Sequence, residues 1–316
     1  MKSQAFFQRL LVALVVILMH AYVRHSGLAA QTNVIRFEAV EGYSTDFDLV
    51  GQGPWTGFGS GGNGIVSDFF PGQGQQAYVG FSPPDPADDQ LVVWPTNQFN
   101  PVAAGLPIVT FSVQMQIVNS ANGEYDYFQW RVYNPQGHRL FILDFDNYYT
   151  NISYRLDGNS DYTNTGFYFT RGVTYPLLIT MNFAANRWSA SLGSTLIIPS
   201  LPITTTNAPL GYGDADAVWY LYDINAPGDN YMLFDNYRVT AEAISARVEL
   251  LERTGQGSSL LRVYGPDRTR WSVDATTNFV NWTALKTNTI DGAYFELVDT
   301  TAAGLLRRFY RARLVP

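Results

Sequence analysis

Between Thr110 and Val118 apolar and polar residues alternate one by one. Phe111, Val113, Met115 and Ile117 fall on one face, and Ser112, Gln114 and Gln116 on the other. A period of two marks a strand with one buried face. Phe128, Trp130 and Val132 repeat the pattern, as do Leu177, Ile179, Met181 and Phe183. Leu140 to Phe145 is instead a nearly unbroken apolar run, which fits a strand covered on both sides. Asn122-Gly123, Asp157-Gly158 and Pro227-Gly228 mark turns. Beyond the first thirty residues no amphipathic helical period is sustained. The pattern predicts an all-β chain, with two sheets packed face to face over residues 31–240.

Residues 51–107 interrupt this regularity. Gly51 to Gly64 is rich in glycine, and Ser82-Pro83-Pro84-Asp85-Pro86 cannot lie inside a sheet because proline lacks the N–H donor. Long surface loops are expected there, around short strands near Ala77–Phe81 and Leu91–Trp94. After Thr240 a second, small β-sandwich module is expected over 241–316, with Ala241-Glu242-Ala243 as a connector. Its strands are placed at Arg247–Glu252, Ser259–Tyr264, Arg270–Asp274, Thr283–Lys286, Tyr294–Val298 and Arg308–Leu314.

The first thirty residues follow another logic. Lys2 and Arg9 precede an apolar run from Leu10 to Met19, and Gly27, Ala29 and Ala30 follow. This is the layout of a secretory signal peptide over residues 1–30. The run is far shorter than the roughly 20 residues of a spanning helix. A secreted or cell-surface protein is therefore expected. The chain closes on Leu314-Val315-Pro316 without an apolar run, so no C-terminal membrane anchor is expected.

Charge narrows the choice of partner. Residues 31–240 hold 7 Arg, no Lys and 19 Asp plus Glu, whereas residues 241–316 hold 10 basic and 8 acidic residues. An acidic first part argues against nucleic acid, because phosphate binding needs clustered cations. It suits calcium or neutral sugars. The chain has no cysteine, so neither a disulfide nor a thiolate site is available.

Three segments carry a resemblance. They are Val34-Ile35-Arg36-Phe37-Glu38 with Glu41-Gly42-Tyr43, the hairpin Thr174 to Phe183 turning at Ala184–Asn186 into Arg187 to Leu192, and Leu233-Phe234-Asp235-Asn236-Tyr237-Arg238-Val239. Together they resemble the concanavalin A-like (laminin-G-like) jelly roll of exported bacterial proteins, in which the first and last strands lie side by side. The run Trp271 to Leu285, ending in Arg308-Phe309-Tyr310-Arg311-Ala312, is similar to small fibronectin III-like modules appended to exported bacterial proteins. The first resemblance implies a structural calcium near the terminal strands, with Glu38 and Asp235 as ligands and Asp46, Asp48 or Asn236 adding oxygens. The fold hosts lectins, glycosidases and inert spacers alike, so function must come from the site.

Two kinds of site are available to such a fold. Asp144 and Asp146 share one face of a strand, roughly 6–7 Å apart, in the range where paired carboxylates hydrolyse glycosides. The laminarinase-type motif has two Glu around an Asp on such a strand, and Leu143-Asp144-Phe145-Asp146-Asn147 has no Glu. Asp146-Asn147 also reads as the opening of a turn. Sugar rings, in contrast, need exposed aromatic faces beside hydrogen-bonding groups. Tyr148 and Tyr149 form one candidate platform, and Trp219, Tyr220 and Tyr222 another, with Tyr220 and Tyr222 on the face opposite Trp219. Only His138 lies beyond the leader, and it has neither a nucleophile elbow nor a second metal-ligating histidine. The leading reading is a non-catalytic exported protein that contacts a glycan or cell-envelope polymer. Its rivals are a polysaccharide-active hydrolase or lyase using Asp144 and Asp146, and a purely structural envelope component.

Overall fold

A computed structural model describes residues 30–96, 100–253 and 257–315. The leader segment 1–29 lies outside the described residues. The chain is all-β. Its first strands are β1 (Gln31–Ile35), β2 (Trp55–Gly59), β3 (Asn63–Ser67), β4 (Gln75–Gly80) and β5 (Gln90–Pro95). There follow β6 (Ile108–Ile117), β7 (Tyr127–Tyr133), β8 (Arg139–Asp146), β9 (Asn151–Leu156) and β10 (Thr163–Tyr168). The first unit closes with β11 (Tyr175–Asn182), β12 (Arg187–Leu192), β13 (Thr195–Leu201), β14 (Asp214–Tyr220) and β15 (Tyr231–Glu242).

These strands make a jelly-roll sandwich of two antiparallel sheets. The first runs β13-β12-β11-β6-β15-β4-β3, with β1 also paired to β15; the second runs β10-β9-β8-β7-β14-β5-β2. First and last strands lie side by side, with Ile35 opposite Tyr237. The inner faces are the apolar halves of the alternating strands. Phe111, Met115 and Phe234 from one sheet meet Phe128, Trp130 and Phe141 from the other. Phe141 stacks on Trp188 with ring centroids 3.9 Å apart, and Phe111 and Phe234 lie 5.0 and 5.5 Å from Trp130. Truncating one such buried ring to alanine removes about 3–5 kcal/mol. A core of this kind holds the sandwich without disulfides.

The glycine-rich stretch is not the long surface loop that its composition suggests. It contains β2 and β3, and at Gly59 and Gly62 backbone meets backbone. A Cβ at Gly59 would stand 2.0 Å from the Gln90 carbonyl oxygen, and one at Gly62 would stand 2.1 Å from that of Gly80. Gly59 also has a φ of +81°, which side-chain-bearing residues rarely adopt. The connector also differs from expectation, since β15 runs through Glu242 and Ala241 is fully buried.

The remaining strands are β16 (Arg247–Arg253), β17 (Ser259–Tyr264), β18 (Arg270–Thr276), β19 (Thr283–Thr289), β20 (Tyr294–Asp299) and β21 (Phe309–Leu314). They form two three-stranded sheets, β16-β17-β20 and β19-β18-β21, around a separate core that includes Leu261, Val263, Trp271 and Val273. Two buried aspartates brace this unit. Asp299 accepts from Arg308 Nε and Tyr310 Oη, and Asp274 accepts from Arg311 and Arg313.

Candidate functional site

The second sheet presents a polar and aromatic outer face because its strands alternate. On β7, Phe128, Trp130 and Val132 enter the core, so Tyr127, Gln129, Arg131 and Tyr133 face outward. Register then aligns neighbours: Gln129 faces Asp144 on β8 and Val218 on β14, while Tyr127 faces Asp146 and Tyr220. Asp144 and Asp146 therefore share the outer face, as their spacing predicts.

A chain of hydrogen bonds crosses this face. Arg131 Nε donates to Gln129 Oε1 at 2.7 Å and its Nη1 to Gln90 Oε1 at 2.8 Å. Gln129 Nε2 in turn donates to Asp144 Oδ1 at 2.7 Å and to Tyr162 Oη at 3.0 Å. Asp144 is only 4% exposed. Burial pushes its carboxyl up to about 7; the Gln129 bond opposes this, and the Asp146 charge adds to it. Asp216 on β14 is also held well above the ordinary carboxylate range, by burial first and then by the charge of Asp214. Over β2, β5, β14 and β7 lies an open depression of about 450 Å³, lined by Phe58, Trp94, Arg131, Tyr133, Asp214 and Asp216.

Asp146 has a different task. Its Oδ1 accepts the N–H groups of Tyr148 and Tyr149, at 2.8 and 3.1 Å, so it shapes the turn after β8. That turn holds the two tyrosines outward, 57% and 67% exposed. Arg171 fixes it from below by donating to the carbonyls of Asn147 and Tyr148, and its guanidinium lies 4.5 Å from the Tyr125 ring centroid.

The two aromatic stretches, far apart in sequence, meet at one end of the sheet. Tyr125 packs edge-on to Tyr148, and Tyr148 edge-on to Tyr149, with centroids 5.8 and 4.7 Å apart. Tyr127 lies 6.2 Å from Tyr220 and 5.9 Å from Tyr222, which is 71% exposed. Trp219 must be removed from this platform. It is fully buried, and its indole N–H donates to Asp126 Oδ2 at 2.9 Å. Tyr125, Tyr127, Gln129 and Arg131 also belong to the face. The last three are legible in the sequence, since they occupy the outward positions of the strand whose inward residues are Phe128, Trp130 and Val132.

Glu38 and Asp235 approach each other at the terminal strands. Asp235 opens a bulge in β15, where Asn236 has a φ of +53° and the pairing with β6 slips. Its Oδ1 accepts the Asn236 backbone N–H at 2.5 Å and its Oδ2 the Asn236 side-chain amide at 3.1 Å. Burial, reinforced by the charges of Glu38 and Glu41, lifts Asp235 to about 6. Carboxylate oxygens are the right donors for calcium, but both oxygens of Asp235 already hold amide donors. Among the described residues no group of three or more His, Cys, Asp or Glu is arranged around a metal position.

No family model matches the chain, and no curated protein matches it. Among solved structures it is similar to a carbohydrate esterase from the Shiga toxin-encoding bacteriophage phi24B, at 14% identity and a TM-score of 0.44, over 67% of this chain and 100% of that one. It is similar also to lectin II from Ulex europaeus, at 8% identity and a TM-score of 0.43, over 69% of this chain and 100% of that one. A sialidase matches at 11% identity and a TM-score of 0.40, over 58% of this chain; the chain spans only 17% of that protein's length. These likenesses are distant, and what this chain does is read from its own residues.

Proposed function

We propose that this chain is an exported, non-catalytic carbohydrate-binding protein that holds a glycan on the outer face of its second sheet. The arc of Tyr125, Tyr127, Tyr148, Tyr149, Tyr220 and Tyr222 beside Asp144 and Gln129 carries this reading. Tyrosine faces stack on the C–H surfaces of sugar rings, and their phenolic hydroxyls can hydrogen-bond to the sugar. Export is supported by the leader pattern alone. The sheet orders β16-β17-β20 and β19-β18-β21 support the fibronectin III-like reading of the C-terminal unit, which would carry the binding domain as a spacer or attachment module.

Binding is measured by affinity electrophoresis or calorimetry of the full chain against a polysaccharide panel. Tyr149→Ala and Tyr222→Ala are each expected to weaken binding up to about tenfold, the worth of one aromatic contact. Variants that bind like the wild type would sink the proposal.

One observation favours a hydrolase or lyase as the second reading. Asp144, held near neutrality beside Asp146, has the protonation that a general acid requires. Turnover on the panel that disappears in Asp144→Asn would establish that reading over the first.

The calcium reading rests on the convergence of Glu38 and Asp235 and has its own test. An ion there is expected to raise the melting temperature on addition of calcium, with chelator reversing the rise. A melting curve indifferent to both rules it out.

A further inference from the structure

Three arginines converge on the outer face of the second sheet. The register sets Arg131 on β7 and Arg155 on β9 on either side of Ile142, and Arg139 at the start of β8 opposite Tyr133. They are three of the 7 arginines in residues 31–240, a stretch without lysine and with 19 acids. Cations so scarce would be expected to disperse among the carboxylates. Instead they are gathered at the cost of mutual repulsion, and the pKa of Arg139 is lowered by burial and then by Arg155 and Arg131.

None of the three forms an ion pair among the described residues. Arg131 bonds to the neutral amides of Gln129 and Gln90. Arg155 donates to the Ser160 carbonyl at 3.3 Å and lies 4.7 Å from the Tyr162 ring centroid. The Nε atoms of Arg139 and Arg155 are buried without a hydrogen-bond partner. Within the same stretch Arg36 alone forms an ion pair among the described residues, with Glu41, and Arg171 is satisfied instead by backbone carbonyls. The carboxylates that feel the cluster are buried, and burial raises the pKa of each. Arg131 and Arg155 pull against that larger rise at Asp144, and Arg131 at Asp216, and none of these pairs is in ion-pair contact. Guanidinium groups with unused N–H donors fit the planar oxygens of a carboxylate or the oxygens of a sulfate.

We propose that Arg131, Arg139 and Arg155 form a subsite for an anionic substituent, a carboxylate or a sulfate ester, so that the face takes acidic polysaccharide in preference to neutral. This rests on the carbohydrate reading above and gives it a substrate class. The tyrosine arc stacks the sugar rings, and the arginines select the charge.

The test is binding of the full chain to dextran, dextran sulfate and polygalacturonate, at low and high salt. At least one anionic polymer is expected to bind about tenfold or more tighter than dextran, and high salt is expected to erode that advantage. Preference for dextran sulfate assigns the site to sulfate, and preference for polygalacturonate to carboxylate. Arg139→Gln and Arg155→Gln are each expected to cost about tenfold on the preferred polymer and little on dextran. Arg155→Lys, which keeps the charge and loses the fork, should fall between. Arg238→Gln, on the exposed surface of the other sheet, should change nothing. An equal loss in Arg238→Gln would mean unspecific charge attraction and overturn the subsite. Equal binding to all three polymers, reduced by Tyr149→Ala, would overturn the subsite and leave the carbohydrate reading standing. Binding to none of these polymers and to no member of the wider panel would overturn both.

Discussion

Asp126→Ala is expected to destabilise the sandwich by about 3–5 kcal/mol, a large share of the roughly 5–15 kcal/mol that a domain has to lose. Asp126 is 1% exposed and collects four N–H donors. Its Oδ2 accepts from Trp219 Nε1, Gly228 N and Asn230 Nδ2 at 2.9, 3.0 and 2.9 Å, and its Oδ1 from Tyr222 N at 3.2 Å. Its own N–H donates to Asn230 Oδ1, which also takes Asn147 Nδ2. Truncation would strand these donors in a dry interior, and that penalty exceeds the net worth of the bonds themselves. Asp126→Asn keeps one acceptor but turns an amide toward the remaining donors, so it should cost less, about 2 kcal/mol. Urea denaturation of the three proteins measures both values. The same network ties the segment bearing Tyr222 to the turn bearing Tyr148 and Tyr149. Asp126→Ala should therefore also weaken glycan binding under conditions where the fold persists. A loss below about 1 kcal/mol would show that water replaces the carboxylate readily and that the site is not built on it.

The parts of this architecture that the chain announces locally are those governed by alternation. Phe111, Phe128 and Leu177 mark inward faces because apolar residues recur from them at every second position, and in the C-terminal unit β17 and β20 keep the same period. Asp144 and Asp146 share a face by strand geometry alone. What alternation cannot supply is which strands become neighbours. Tyr148 and Tyr222 come to the same end of the sheet only because β7 lies between β8 and β14, bringing Tyr127 opposite both Asp146 and Tyr220. That register is set by the packing of the whole core. Trp219 illustrates the same limit. Parity puts it opposite Tyr220 and Tyr222, yet whether the indole or the phenols face inward depends on Asp126, which lies far away in sequence. The glycines from Gly51 to Gly64 suggest loops by local propensity, whereas Gly59 and Gly62 are small because their backbone closely approaches the carbonyls of Gln90 and Gly80. Local composition cannot distinguish a flexible glycine from a crowded one.

Asp144→Asn is expected to stabilise the protein at neutral and alkaline pH and to have no effect in acid. An unfolded chain releases the Asp144 proton near pH 3.8, whereas the folded chain holds it up to about 7. Through that window the folded state binds more protons, so the stability of the wild type falls as pH rises. Asparagine has no proton to lose, and its side-chain oxygen can still accept from Gln129. The advantage of the variant should thus be near zero below about pH 4, grow through the window, and level off above about pH 7 at roughly 2–4 kcal/mol. Asp216, raised in the same direction, adds its own slope to both proteins and cancels in the difference. Thermal or urea denaturation across pH measures the curve, and a flat difference would mean that Asp144 titrates like an exposed acid. The sign bears on function. Ile142, two residues before Asp144 on β8, and Val218, opposite Gln129 on β14, also face outward, so an apolar residue suits this part of the sheet. On the proposed carbohydrate reading, a carboxyl that weakens the fold at neutral pH, in a place where asparagine would serve, is kept for what it does to a ligand. If Asp144→Asn gains stability and loses glycan affinity together, the buried acid is a binding group whose proton donates to the sugar. If it gains stability and leaves binding intact, the contact surface is the tyrosine arc alone.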